Sequence, residues 1–371
     1  MISEKGIEVL KLRRAASQAA ASKFNALLTR QTDGRVTGSF LFAGASRTQR
    51  WSGRGLQLQN LKRPPKGQDN DKVAKSLLDG SFDHRYGGPG ALEVLGGSIR
   101  AAIAARDGYS LVVRDLASIE SRVLGWLSGD PATMAIFRTG RDSYKDFASR
   151  WFKVPYEEVT KEQRFLSKPP TLGCGYGLGA QGLVGYAAKM GVALELEQAQ
   201  EAVGVFRGTY FKIPLLWRTV EAAFTAAVLG HESALAFLRF TREGDMVTIR
   251  LPSGRKLYYH KPEVDDDGVT YMGMDQYTHK WTRLYTWGGK LVENLVQAIA
   301  RDVLAHGMLL VDGYDLPIVL HVHDEIGCEV VNLLADAALD IMGECMDKVP
   351  EWAPGLLLAS AGYTAKRYRK D

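Results

Sequence analysis

The sequence predicts an α+β fold in which helices are inserted between strands, and three observations lead there. "IVLHVHDEIGCEV" (318–330) carries two short runs rich in β-branched and apolar residues, which read as strands folding back on each other. Residues 131–235 read as mostly helical, punctuated by Pro and Gly. Between 246 and 286, strand-like runs alternate with turns such as "LPSGRK" and "EVDDDG". Strands interrupted by a block of helices, rather than alternating singly with them, belong to the α+β class.

Taken in order, residues 3–30 read as one Ala- and Leu-rich helix with Lys and Arg on its outer face. Gly34 to Asn60 is extended and rich in Gly, Ser and Arg. Residues 62–90 hold Pro-Pro and Gly-Gly breaks, with a short helix near 71–79. "YSLVVRDLASIESRVLGWLSGD" (109–130) is a strand running into a helix. A helix covers about 287–311, the hairpin follows, and a last helix spans roughly 333–347. No internal repeat is present. "EVDDDG" (263–268) lacks the alternating ligands and closing Glu of a calcium loop and reads as a solvated hairpin turn.

The 371 residues suffice for one large or two intimate domains, and 46% apolar with 24% charged residues is ordinary for a globular chain. No apolar run approaches the length of a membrane span, and Cys174, Cys328 and Cys345 are too scattered for a disulfide framework or zinc site. A reducing, cytoplasmic setting is expected. Net charge is +5, but residues 1–67 hold thirteen Lys/Arg against three Asp/Glu, so the remainder is net acidic. A basic front segment reads as a phosphate-contacting surface or as a solvated face; charge alone does not separate the two.

The chemistry begins at the hairpin, which carries adjacent carboxylates, Asp324 and Glu325, at or near its bend. Like charges side by side cost free energy unless a cation sits against them, although Asp is also an ordinary turn residue. A second carboxylate, Asp115, ends the strand "SLVVRDL" where a helix begins. Asp115 and Asp324 are hard oxygen ligands from distant segments, which suits a site for two Mg²⁺ ions that clamps both oxygens of an in-line phosphoryl displacement. In "QRFLSKPPTLGCGYGLG", Arg164, Lys168, Leu172 and Tyr176 recur at steps of four and would span about 120° of a helix. Two cations one turn apart suit a polyphosphate, and the apolar and aromatic residues beyond them suit a base or sugar; a surface helix with a core stripe has the same pattern.

Together these segments resemble the family A DNA polymerases, those similar to bacterial DNA polymerase I and its phage relatives. "DLASIESR" (115–122) resembles motif A, D-Y-S-Q-I-E-L-R. Arg164, Lys168, Gly173, Tyr176 and Gly177 keep the spacing of motif B, and Val322 to Glu325 match V-H-D-E of motif C in full. "TQRWSGRGLQLQN" is similar to the T-G-R-L-S-x-x-x-P-N-L-Q-N segment and aligns Arg50 and Asn60, while "VQAIARD" aligns Gln297.

The resemblance implies a right-hand architecture: a palm of antiparallel sheet with helices, plus mostly helical fingers. It divides the chain into 1–30 (an N-terminal helix, or thumb remnant), 31–130 (first part of the palm), 131–235 (fingers) and 236–371 (second part of the palm, with a strand-rich insertion at 246–286). It implies template-directed addition of dNTPs to a primer 3′-hydroxyl. Asp115, Asp324 and the Leu116 carbonyl would hold two Mg²⁺, with Glu325 beside them. Arg164 and Lys168 would meet the triphosphate, Lys168 as proton donor. Glu120 would exclude a 2′-hydroxyl, Leu172 would stand where the family has an aromatic residue, and Tyr176 would border the templating base. Arg50, Asn60, Arg122, Gln297 and His323 would contact primer–template DNA. Only one helix precedes the palm-like region, so no exonuclease domain and little thumb are expected; a trimmed chain, a separate thumb, exonuclease or processivity partner, or a minimal enzyme would each account for that. Pro169-Pro170 directly after Lys168 predict a kink or restart, with the regular helix beginning near Pro169. The rival readings are a two-metal nuclease and a primer–template-binding protein with impaired catalysis.

Overall fold

The computed structural model describes residues 3, 5–6, 20–88 and 90–369. At its centre four antiparallel strands lie in the order Ile318–Val322, Glu325–Val331, Tyr109–Leu116, Ser360–Ala365. The first three are the expected hairpin and the Asp115 strand. The fourth, at the C-terminal end, has no strand-like pattern of its own and is recruited by pairing along Leu111–Leu116.

Alternation along these strands separates two cores. Val112, Leu116, Ile326, Cys328 and Val330 face a large core shared with the buried helix Gly288–Asp312 and with Ala335–Asp347. Leu111, Val113, Leu320 and Val322 face a smaller core with Leu56, Leu58, Leu61, Ile99 and Tyr368. Asp115 and Glu325 are opposite each other in register and follow Val113 and Gly327 in the alternation, so they belong to this second face. The segment carrying Arg50 and Asn60 is packed there because its leucines complete that core.

Helices from Pro131–Arg138 to Lys212–Val228 form the block read as helical from the sequence. Strands begin earlier than expected, at Ser233, and form a six-stranded antiparallel meander ending at Trp281–Thr286. Arg255 ties this sheet to the rest: Nε donates to Asp302 Oδ1 at 2.8 Å, Nη1 to Gln49 Oε1 at 2.8 Å and Nη2 to the Ala298 carbonyl at 2.9 Å. "EVDDDG" is a hairpin turn in which Asp265 Oδ1 accepts the Asp267 and Gly268 amides, at 3.0 and 3.1 Å.

The N-terminal helix is described over Ala20–Arg30; residues 4 and 7–19 of the expected helix lie outside the described residues. The short helix near 71–79 is Asn70–Leu78, capped by Asp69, and Phe82–Tyr86 and Ala91–Ser98 add helix on either side of the glycines at 87–90. All three cysteines are buried and free. Among the described residues no helix is long and apolar enough to cross a membrane.

Candidate active site

The acidic pair lies at the hairpin bend, with its two members placed differently. Val322 and Glu325 close the turn, so His323 and Asp324 occupy it and Glu325 opens the second strand. His323 takes φ 56°, the left-handed region that a tight hairpin requires and usually fills with Gly or Asn. The Leu116 amide donates to the Asp324 carbonyl at 2.9 Å, which carries the ladder one step past Asp115 and fixes Asp324 beside it. Glu325 is 2% exposed and accepts a hydrogen bond from the Tyr368 hydroxyl, and Arg100 lies 4.9 Å from that ring. The two carboxylates that adjoin in sequence are therefore split, one in the turn and one buried against the C-terminal segment.

Among the described residues no group of three or more His, Cys, Asp or Glu is arranged to hold a metal by itself. Two carboxylates and a backbone carbonyl from neighbouring segments still fit magnesium, which is usually held by one or two carboxylates while water and substrate phosphates complete its shell.

Glu120 lies one residue inside the helix Ile119–Ser128, which starts from a sharp corner with Ser118 at φ 52°. Its carboxylate accepts Arg50 Nη1 at 2.9 Å and the Tyr176 hydroxyl at 3.2 Å. Burial and the Glu120 charge push the Tyr176 phenol well above its ordinary pKa, so it stays a neutral donor.

The motif-B stretch is not one helix. Lys161–Leu166 stops, Lys168–Gly173 restarts with Pro169 and Pro170 in its first turn, and Cys174–Tyr176 tightens into 3-10 geometry. The prolines lack the amides that would reach back to Phe165 and Leu166, which is why the break falls here. Fully buried Ser167 bridges it: its hydroxyl contacts the Tyr144 and Arg164 carbonyls at 2.7 and 2.9 Å. The single stripe expected from steps of four is thus corrected to three short segments. Arg164 donates to Asp142, Lys168 Nζ lies 6.0 Å from the Tyr144 ring and 5.4 Å from that of Phe165, Leu172 is 37% exposed, and Tyr176 reaches Glu120. Gly177 ends the run at φ 82°, where an added Cβ would come within 2.4 Å of Trp287.

A cleft of about 380 Å³ brings together Arg50, Asn60, Gln297 and His323 with Arg47, Trp51 and Lys290. Four of the five residues expected at DNA thus share one surface. Arg122 is the correction: its Nε donates to the Ala117 carbonyl at 2.7 Å and Nη1 to the Leu357 carbonyl at 2.9 Å, and its guanidinium covers Phe137, away from the cleft. Sequence reasoning missed Asp142, Tyr144, Arg47 and Tyr368. Asp142 before Ser143 carried a helix-cap signal, but nothing linked it to Arg164.

A four-stranded antiparallel sheet with carboxylates at a hairpin and a helical block inserted between its strands defines the right-hand polymerase class of fold. Residues 3–229 match the model of DNA polymerase family A, and the chain belongs to that family. It is similar to the DNA polymerase of Bacillus phage SP02, 36% identical over 382 residues covering 98% of this chain and 57% of the relative. DNA polymerase I of Mycobacterium tuberculosis is 35% identical over 146 residues, 38% of this chain and 16% of that protein. The solved polymerase domain of Pol1 from M. smegmatis, in complex with DNA primer-template and dNTP, shares the fold with a TM-score of 0.65 at 23% identity, over 96% of this chain and 52% of that one. The chain thus spans little more than half the length of its phage relative and less of the bacterial one. Family membership carries with it the use of divalent metal ions.

Proposed function

We propose that the chain is a template-directed DNA polymerase that adds dNTPs to a primer 3′-hydroxyl with two Mg²⁺ ions, in an intracellular setting. The observation that carries this reading is the register that sets Asp115 against Glu325 and binds Leu116 to Asp324, on the sheet face that also holds the Arg50 segment. Asp115, Asp324 and the Leu116 carbonyl would hold the ions. Bound there, magnesium would acidify the 3′-hydroxyl and offset charge on the phosphates.

Arg164 and Lys168 would meet charge growing on the departing pyrophosphate, and Lys168, at a helix entry, would pass it a proton. Glu120, held by Arg50 and Tyr176, would press on the sugar and reject a 2′-hydroxyl. Leu172 would give the base an apolar contact in place of stacking. Arg50, Asn60, Gln297 and His323 line a cleft where donors would meet minor-groove acceptors present in every base pair.

The test is primer extension on a short hairpin template with Mg²⁺ and dNTPs. Extension is expected. Degradation of the primer would make the protein a nuclease, and tight binding with neither would make it a primer–template-binding protein.

A further inference from the structure

We infer that Asp142 is a positioning residue that holds Arg164 in the orientation in which it receives a nucleoside triphosphate. The inference rests on the reading of Arg164 as a triphosphate ligand. Asp142 immediately precedes the helix Ser143–Phe152, and its two carboxylate oxygens are divided between two tasks. Oδ1 accepts the Lys145 amide at 2.9 Å and caps the helix. Oδ2 accepts both Nε and Nη2 of Arg164, at 2.9 and 2.5 Å, so one edge of the guanidinium is fixed and Nη1 lies outside the pair.

The surroundings hold this carboxylate still. The Asp142 amide donates to the Tyr156 hydroxyl at 3.0 Å. Tyr144, two residues on, places its ring 5.3 Å from the Arg164 guanidinium and 6.0 Å from Lys168 Nζ. The Ser167 hydroxyl ties the Tyr144 carbonyl to the break between the two motif-B helices. One helix entry is thereby locked to the segment that carries both cations. Burial would raise the Asp142 carboxyl, but the hydrogen bonds from Arg164 and the Lys145 amide hold it below its ordinary value, and it remains an anion.

An Arg side chain without such a partner has many rotamers and loses that freedom when it binds phosphate. The pairing removes the loss in advance. It also sets a carboxylate near the anion to be bound, which opposes binding. With the two side chains 38% and 33% exposed, that repulsion is largely screened, whereas the geometry of a doubly bonded guanidinium is not.

Asp142→Asn separates this role from helix capping, because Asn caps as well as Asp while losing the charge. Single-turnover incorporation by the full chain on a primer–template is measured across a dNTP series for the parent protein, Asp142→Asn, Arg164→Ala and the double variant. The expected result is a KM for dNTP raised on the order of tenfold by Asp142→Asn, with kcat nearly unchanged and an unaltered melting temperature. Arg164→Ala should raise KM at least as much, and the double variant should match Arg164→Ala, because the carboxylate acts only through the guanidinium. A KM that falls in Asp142→Asn would show a competitor for the phosphate and overturn the inference, as would an unchanged KM or full additivity. If Arg164→Ala itself leaves KM unchanged, the reading of Arg164 fails and the inference falls with it.

Discussion

Asp115 and Asp324 are each half-buried, one near the end of a strand and one in the hairpin turn, and the backbone hydrogen bond from Leu116 extends the ladder between their segments to Asp324. Replacing either with Asn keeps size and hydrogen bonding but removes the charge that would hold magnesium. Asp115→Asn and Asp324→Asn should each lower incorporation by roughly three orders of magnitude or more, with primer–template binding largely intact, as measured by extension and by equilibrium binding. Near-normal extension would remove these residues from the metal site. Glu120 supports a different expectation. Its carboxylate joins Arg50 to Tyr176, so Glu120→Ala removes the side chain proposed to face the sugar and also releases both partners. Ribonucleotide use relative to deoxyribonucleotide use should rise, and Tyr176→Phe, which leaves the Arg50 bond in place, should change it less. Equal discrimination in all three proteins would place the sugar gate elsewhere.

At the scale of elements, the break in motif B decides how the two cations are presented. Prolines at the first turn of Lys168–Gly173 cost little, since those amides have no intrahelical partner. The break falls at the junction, where the fully buried Ser167 hydroxyl bonds the Tyr144 carbonyl. Ser167→Ala removes the hydrogen bonding of a fully buried hydroxyl and should lower stability by about 1 kcal/mol, read from denaturant unfolding. Replacing Pro169 and Pro170 together by Ala allows one helix to run from Lys161 through Gly173, with Arg164 and Lys168 one turn apart on a shared face. The KM for dNTP should then fall; an unchanged KM would show that the restart presents Lys168 equally well.

At the scale of the molecule, charge is divided along the chain. The surplus of ten cations in residues 1–67 exceeds the net +5 of the whole, and Leu56, Leu58 and Leu61 of this segment pack on the sheet face that bears Asp115. Affinity for primer–template should fall steeply with salt, because neutralised phosphates release condensed counterions. Arg54, Arg63 and Lys66 are exposed, and replacing them together with Gln should flatten the slope of log K against log salt by about one for each phosphate no longer neutralised. A slope that does not change would return the segment to a solvated face.

Much of this was legible in the sequence because it is local. Period-two and helical patterning located the hairpin, the strand before Asp115 and the long helix Gly288–Asp312, and the Pro-Pro pair located the break after Leu166, since both depend on neighbours a few residues apart. Motif spacing carried the family, which the match over residues 3–229 bears out. Tertiary structure alone decided what depends on partners far away in the chain. The strand Ser360–Ala365 exists because Leu111–Leu116 offers it an open edge. Glu325 turns inward because Tyr368 meets it there, and Arg122 lies outside the cleft of Arg50 and Gln297 because two carbonyls claim its guanidinium. Arg164 pairs with Asp142 because the helix Lys161–Leu166 packs against the entry of Ser143–Phe152. A side chain's type limits the bonds it is able to make; which bond forms depends on the group that packing places within about 3 Å of it, and that is a property of the folded chain.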